Sequence, residues 1–134
     1  MKVTTRDRLR EGDTVPRFEA TTLDGAIVRY ADLWQRKPVL LVCVGDLAAP
    51  AARAYAAELE TGRGELTAHD TACVVTAGRV DRVPCPGVVV ADRWGEVRFV
   101  ASAASAADLP RVPALVEWLR FIQSECPECQ GEAK

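Results

Sequence analysis

Residues 42–59 read VCVGDLAAPAARAYAAEL. The opening residues close a continuous apolar run, KPVLLVCV at 37–44. A run of this length, rich in β-branched residues, predicts a strand buried on both faces. From residue 50 to about residue 60 the pattern turns helical, with alanines around Tyr55 and Leu59. Proline suits the first turn of a helix because its missing N–H would have no intrahelical partner there. Gly62 and Gly64 predict the end of that helix. The stretch thus predicts a buried strand that passes through a short loop into a helix start. A cysteine at such a junction is a nucleophile, because free N–H groups and the helix dipole stabilise its thiolate. Here the junction reads Ala49-Pro50-Ala51-Ala52. Alanine neither titrates nor attacks.

On either side of this stretch the chain alternates strands and helices. Upstream, Asp24-Gly25 between two short runs in DTVPRFEATTLDGAIVRYADLW predicts a β-hairpin. Downstream, TACVVTA (71–77) and PGVVVAD (86–92) predict buried strands. EVRFVAS (96–102) predicts a fourth, joined to PGVVVAD by the turn DRWGE. ASAASAADLP reads as a small-residue linker. Over Val112–Ser124, Leu115, Trp118, Leu119 and Ile122 fall at i, i+3, i+4 and i+7, one face of a helix. The order predicts a single α/β domain over residues 1–124 with a mixed sheet, and a tail over 125–134. Residues 1–11 are charged and predict a frayed end.

The bulk numbers narrow the class. A chain of 134 residues fits one domain and buries roughly two-thirds of its unfolded surface. A net charge of −2 lacks the basic face that nucleic-acid binding needs. KPVLLVCV is too short to span a bilayer. MKVTTRDRLREGD has no apolar core of a secretory signal, which predicts a cytoplasmic protein. The five cysteines, an odd count, argue against a disulfide framework in such a compartment. Cys43 and Cys73 sit in strand runs and read as inert core thiols.

LREGDTVPRFEATTLDGAIVRYADLWQRKPVLLVCV (9–44) and VPCPGVVVADRWGEV (83–97) together resemble the redoxin side of the thioredoxin fold, the peroxiredoxin-like AhpC/TSA proteins. The first carries a G-x-x-x-P-x-F, a D-G hairpin and a D-L-W before the core strand. The second carries a proline-led strand followed by D-x-x-G-x-V. The resemblance spans residues 10–123 and implies a thioredoxin-like fold, antioxidant thiol chemistry and a cis peptide at Pro86. It also places the family's reactive C-x-x-C at Ala49 and Ala52, the arginine after it at Arg53, and a threonine where Asp46 stands. Thioredoxin or peroxiredoxin chemistry at residues 49–52 is therefore excluded.

Cys85 precedes the candidate cis-proline and, by the resemblance, faces the old active site. Arg79 and Arg82 nearby could lower a thiol pKa. Two readings stand: a functional thiol, or a filler of vacated space. Only GRVDRVPCP (78–86) separates two strands between which family members fit a helix. The shortened connection predicts a thinly covered sheet face and hence a homodimer.

The tail SECPECQGEAK (124–134) carries Cys126 and Cys129 at C-x-x-C spacing, close enough for a disulfide or for one metal. Three readings stand. The pair is a thiol–disulfide couple that exchanges with a thiol-bearing protein partner or with Cys85, although Glu125 and Glu128 beside it raise thiol pKa values. Or it is half of a zinc site completed by a second subunit; the lone His69 lies in a polar loop. Or the thiols are incidental. The sequence thus expects a redoxin with a degenerate site, no cofactor beyond that zinc, and any catalysis at Cys126, Cys129 and Cys85. The alternative is a non-catalytic binding or assembly protein that uses the groove around Asp46, Arg53 and Pro86.

Overall fold

The computed structural model describes residues 8–68 and 70–125. Along the chain come β1 (Glu19–Thr21), β2 (Ile27–Arg29), a 3₁₀ turn (Tyr30–Asp32), β3 (Val39–Cys43), α1 (Pro50–Thr61) and α2 (Arg63–Leu66). Then follow β4 (Ala72–Thr76), β5 (Gly87–Ala91), β6 (Val97–Ser102), a second 3₁₀ turn (Ala106–Asp108) and α3 (Val112–Ser124). The main sheet has the order β4-β3-β5-β6. β4 runs parallel to β3, β5 antiparallel to β3, and β6 antiparallel to β5. β1 and β2 form the separate hairpin expected at Asp24-Gly25.

β3 is buried along its whole length, as its unbroken apolar run requires. Its alternate residues feed two cores. Leu40 and Val42 face α1, α2 and α3, where Tyr55, Leu59, Leu66, Leu115, Leu119 and Ile122 pack. Val39, Leu41 and Cys43 face the opposite side. Every helix packs on the first side. The second is covered by Leu9, Val15, Phe18 and Tyr30 from the N-terminal segment, and by Val80 and Val83 from the connection before β5. Both faces of the sheet are thus covered by described residues. Leu9, which the sequence reading placed in a frayed end, is buried and donates its N–H to the Arg82 carbonyl at 2.9 Å.

Two junctions differ in detail from the sequence reading. Gly62 ends α1 but does not stop helical structure, since α2 begins at the next residue. On α3, Val116 joins the buried face. Trp118 is only half-buried and stacks on Phe99 of β6 with ring centroids 5.1 Å apart. α3 starts under direct control of α1. The Glu58 carboxylate accepts from the Val112 N–H at 3.2 Å and from Arg111 at 2.6 Å, satisfying a free donor of the first turn. The far end is fixed as well: Arg98 of β6 donates to both oxygens of Glu125, at 2.8 and 2.5 Å.

Candidate active site

The sequence around Cys85 folds tightly for local reasons. Residues 84–87 read Pro-Cys-Pro-Gly, and the Cys85–Pro86 peptide is cis. A Cβ at Gly87 would lie 2.2 Å from the Pro84 carbonyl oxygen, so only glycine lets the chain close this turn. Gly87 then begins β5 directly opposite Cys43, the last residue of β3. Turn and register together bring the Cα atoms of Cys43 and Cys85 to 5.3 Å, within the span of about 4.4–6.8 Å that a disulfide bridges. The two sulfurs are bonded.

This pairing overturns the reading of Cys43 as an inert core thiol. Its side chain points to the sheet face that the 78–86 connection crosses, and strand patterning alone does not reveal what crosses it. Cys85 is likewise more than a filler. Cys73 keeps its expected character: it is a free thiol, and burial pushes its pKa up to about 11.

The surroundings of the two sulfurs are unequal. Cys43 is fully buried, among Val74, Val80, Val83 and Val89. Its Sγ lies 3.1 Å from the Gly78 carbonyl oxygen. Thr76 holds that carbonyl in place, accepting from the Gly78 N–H at 3.0 Å and donating its hydroxyl to the Thr21 carbonyl at 2.8 Å. Cys85 is half-buried and lines a groove of about 620 Å³ together with Asp46, Ala49, Ala52, Arg79 and Pro86. Gly45 also lines it, with φ of +88°, and a Cβ there would come within 4.0 Å of the Cys85 sulfur. The missing side chain leaves the approach to that sulfur open.

The groove therefore gathers Asp46, Ala49, Ala52, Arg79, Cys85 and Pro86 from the residues singled out in the sequence. Arg53 is not part of its wall. Its guanidinium donates to the carbonyls of Leu47 and Ala48 at 2.8 and 3.1 Å. The Asp46 carboxylate accepts from the Ala48 N–H at 2.9 Å, and the Asp46 carbonyl from the Ala49 N–H at 2.9 Å. Asp46 and Arg53 thus shape the loop before α1. Arg82 pairs with Asp13 at 3.3 Å. Sequence reasoning missed Cys43, Gly45 and Gly78. The usable signal was the shortened connection itself, which has to cross the β3 end where Cys43 sits.

Cys126 and Cys129, with the zinc site assigned to them, lie outside the described residues, as does His69. Among the described residues, no three His, Cys, Asp or Glu side chains converge as metal ligands. No described helix is long and apolar enough to cross a membrane.

No protein-family model and no curated protein matches the chain. Solved structures do. The reduced 2-Cys peroxiredoxin of Plasmodium vivax superposes with a TM-score of 0.68 at 12% identity, over 84% of this chain and 81% of that one. The peroxidoxin BcpB of Mycobacterium tuberculosis gives 0.66 at 17% identity, over 87% of this chain and 100% of that one. A putative protein disulfide isomerase from Bacteroides thetaiotaomicron gives 0.60 at 15% identity, over 87% and 92%. These likenesses, all at low identity, establish the fold, a thioredoxin-like α/β fold shared with peroxiredoxins. Within it, the helix start that reads Ala49 to Ala52 and the Cys43–Cys85 disulfide border one groove.

Proposed function

We propose that this protein is a thiol–disulfide exchange protein whose reactive sulfur has moved from the start of α1 to Cys85, across the same groove. The observation that carries the reading is the Cys43–Cys85 bond with its Cys85 end lining that groove. A disulfide of this kind in a reducing compartment is generally transient and catalytic or sensing, which agrees with the expected cytoplasmic location. The peroxiredoxin and disulfide-isomerase neighbours support the same class of chemistry by analogy of fold. Direct peroxide attack by a thiolate at residues 49–52 has no residue to perform it. Cys126 and Cys129 enter the proposal as a second exchanging pair on their spacing alone, and a thiol-bearing protein is the proposed partner.

Insulin reduction by a dithiol, with and without the protein, tests the reading. Acceleration by the wild type and its loss in Cys85→Ser support it. Equal rates with and without the protein contradict it. Acceleration retained in Cys85→Ser and lost in Cys126→Ser would put the chemistry in the tail instead. The second reading is a non-catalytic binding protein in which the same bond pins the connection over the sheet. Complete burial of Cys43 favours it, and the insulin assay separates the two.

A further inference from the structure

The two ends of the disulfide are unequal, and the inequality assigns a direction to the exchange proposed above, on which this inference rests. We infer that Cys85 is the sulfur attacked by, and transiently bonded to, an incoming thiol, and that Cys43 is the internal leaving and resolving thiol, with the Gly78 carbonyl accepting its S–H hydrogen bond.

Access decides which sulfur is attacked. Thiol–disulfide exchange proceeds by attack of a thiolate on one sulfur through a mixed disulfide. Cys85 lines the groove beneath the open approach left by Gly45. Cys43 is enclosed by valines and has no exposed surface, so no external thiolate reaches it without opening the core.

The groups around Cys43 decide where the proton goes. An apolar cage disfavours a thiolate, and a carbonyl oxygen accepts a hydrogen bond from a thiol but offers nothing to an anion. With its Sγ 3.1 Å from the Gly78 oxygen, reduced Cys43 is held as S–H. In the first step an external thiol R–SH, as thiolate, attacks the Cys85 sulfur. The R–S to Cys85 bond forms and the Cys85–Cys43 bond breaks. The electron pair goes to Cys43, and the proton given up by R–SH ends on it. In the second step another thiol R′–SH attacks the R sulfur. R–S–S–R′ leaves, and Cys85 takes the proton. Run backwards, the Cys43/Cys85 dithiol reduces an external disulfide, and Cys43 resolves the mixed disulfide on Cys85. Because a poorly acidic thiol is a slow leaving group, the geometry predicts a slow first step and a long-lived internal disulfide.

The test exposes the oxidised full-length wild type to excess reduced glutathione, quenches with acid and maps adducts by peptide mass spectrometry. The expected early intermediate carries glutathione on Cys85 with Cys43 as free thiol, at least about tenfold over the reverse adduct, as expected for a sulfur with no access. In parallel, reduced Cys43→Ser given oxidised glutathione should accumulate the Cys85 adduct, releasing one reduced glutathione and having no thiol to resolve the mixed disulfide. Adducts on Cys43, or equal amounts on both, overturn the direction while leaving the exchange reading intact. A disulfide that survives unchanged in folded wild type overturns both.

Discussion

Gly87 carries more of this site than its size suggests. It closes the turn that presents Cys85, with the Pro84 carbonyl oxygen 2.2 Å from where a Cβ would stand. Gly87→Ala must push that turn open. Overpacking of this kind costs about 1–3 kcal/mol, and here it also moves Cys85 away from Cys43. The expected result is a lower denaturant midpoint together with two more thiols reactive in unfolded, unreduced protein. Cys73 offers the opposite case, a thiol kept out of reaction by burial. With its pKa raised to about 11, its alkylation in folded protein should climb about tenfold per pH unit from pH 8 to 10, following the thiolate fraction. The raised folded pKa also sets a sign for stability. The contribution is fully present below the unfolded thiol value of 9.0 and is lost as pH rises toward 11. The residue scale also shows what sequence could reveal. The junction at Ala49 to Ala52 could be located because strand, loop and proline-led helix mark it locally, and the resemblance to redoxins implies a reactive position there. Cys43 could not be paired, because its partner lies 42 residues away and arrives only through β3–β5 register and the 84–87 turn.

Among the elements, β6 and α3 are joined by one cation. Arg98 binds Glu125 through two hydrogen bonds and lies 3.5 Å from the fully buried Asp92 carboxylate. Asp92 also accepts from the N–H groups of Trp94 and Glu96 at 2.9 and 3.0 Å, so it orders the β5–β6 turn. Arg98→Met should cost about 1.5–3 kcal/mol, the range for hydrogen bonds to charged groups, measured by urea unfolding at neutral pH. The hydrogen bond from Arg98 holds the Glu125 carboxyl below its ordinary value of 4.5. The stabilisation is therefore present above 4.5 and is lost as pH falls through the depressed folded value. The gap between wild type and Arg98→Met should narrow in acid for the same reason. Packing of α3 on the sheet gives a larger effect. Leu115 and Leu119 have almost no exposed surface, and either one changed to Ala should cost about 2–5 kcal/mol. α3 was legible because Leu115, Trp118, Leu119 and Ile122 recur at helical spacing. The identity of its buried face was less so, because Trp118 is wide enough to stack on Phe99 while staying half in solvent.

For the whole molecule, the short connection between β4 and β5 shapes the fold. With no helix between β4 and β5, every helix packs on one side of the sheet. The N-terminal segment and the 78–86 connection close the other. The connection is itself held down by Arg82 on Asp13, by Val80 and Val83 in the core and by the Cys43–Cys85 bond. The succession of strands and helices along the chain was readable from hydrophobic pattern and turn residues. What covers the second face was not, because Leu9, Val15 and Phe18 lie in a segment without periodic structure. The covering chain is what turns Cys43 from a core residue into half of a disulfide couple.

The central claim is that this couple exchanges in the folded protein. The most direct measurement equilibrates wild type in glutathione buffers of graded ratio, alkylates the free thiols and reads Cys43 and Cys85 by mass. The account predicts a reversible two-electron transition in which both thiols appear and disappear together while circular dichroism stays native. A disulfide that yields only when the protein unfolds would contradict it and leave the bond a structural staple.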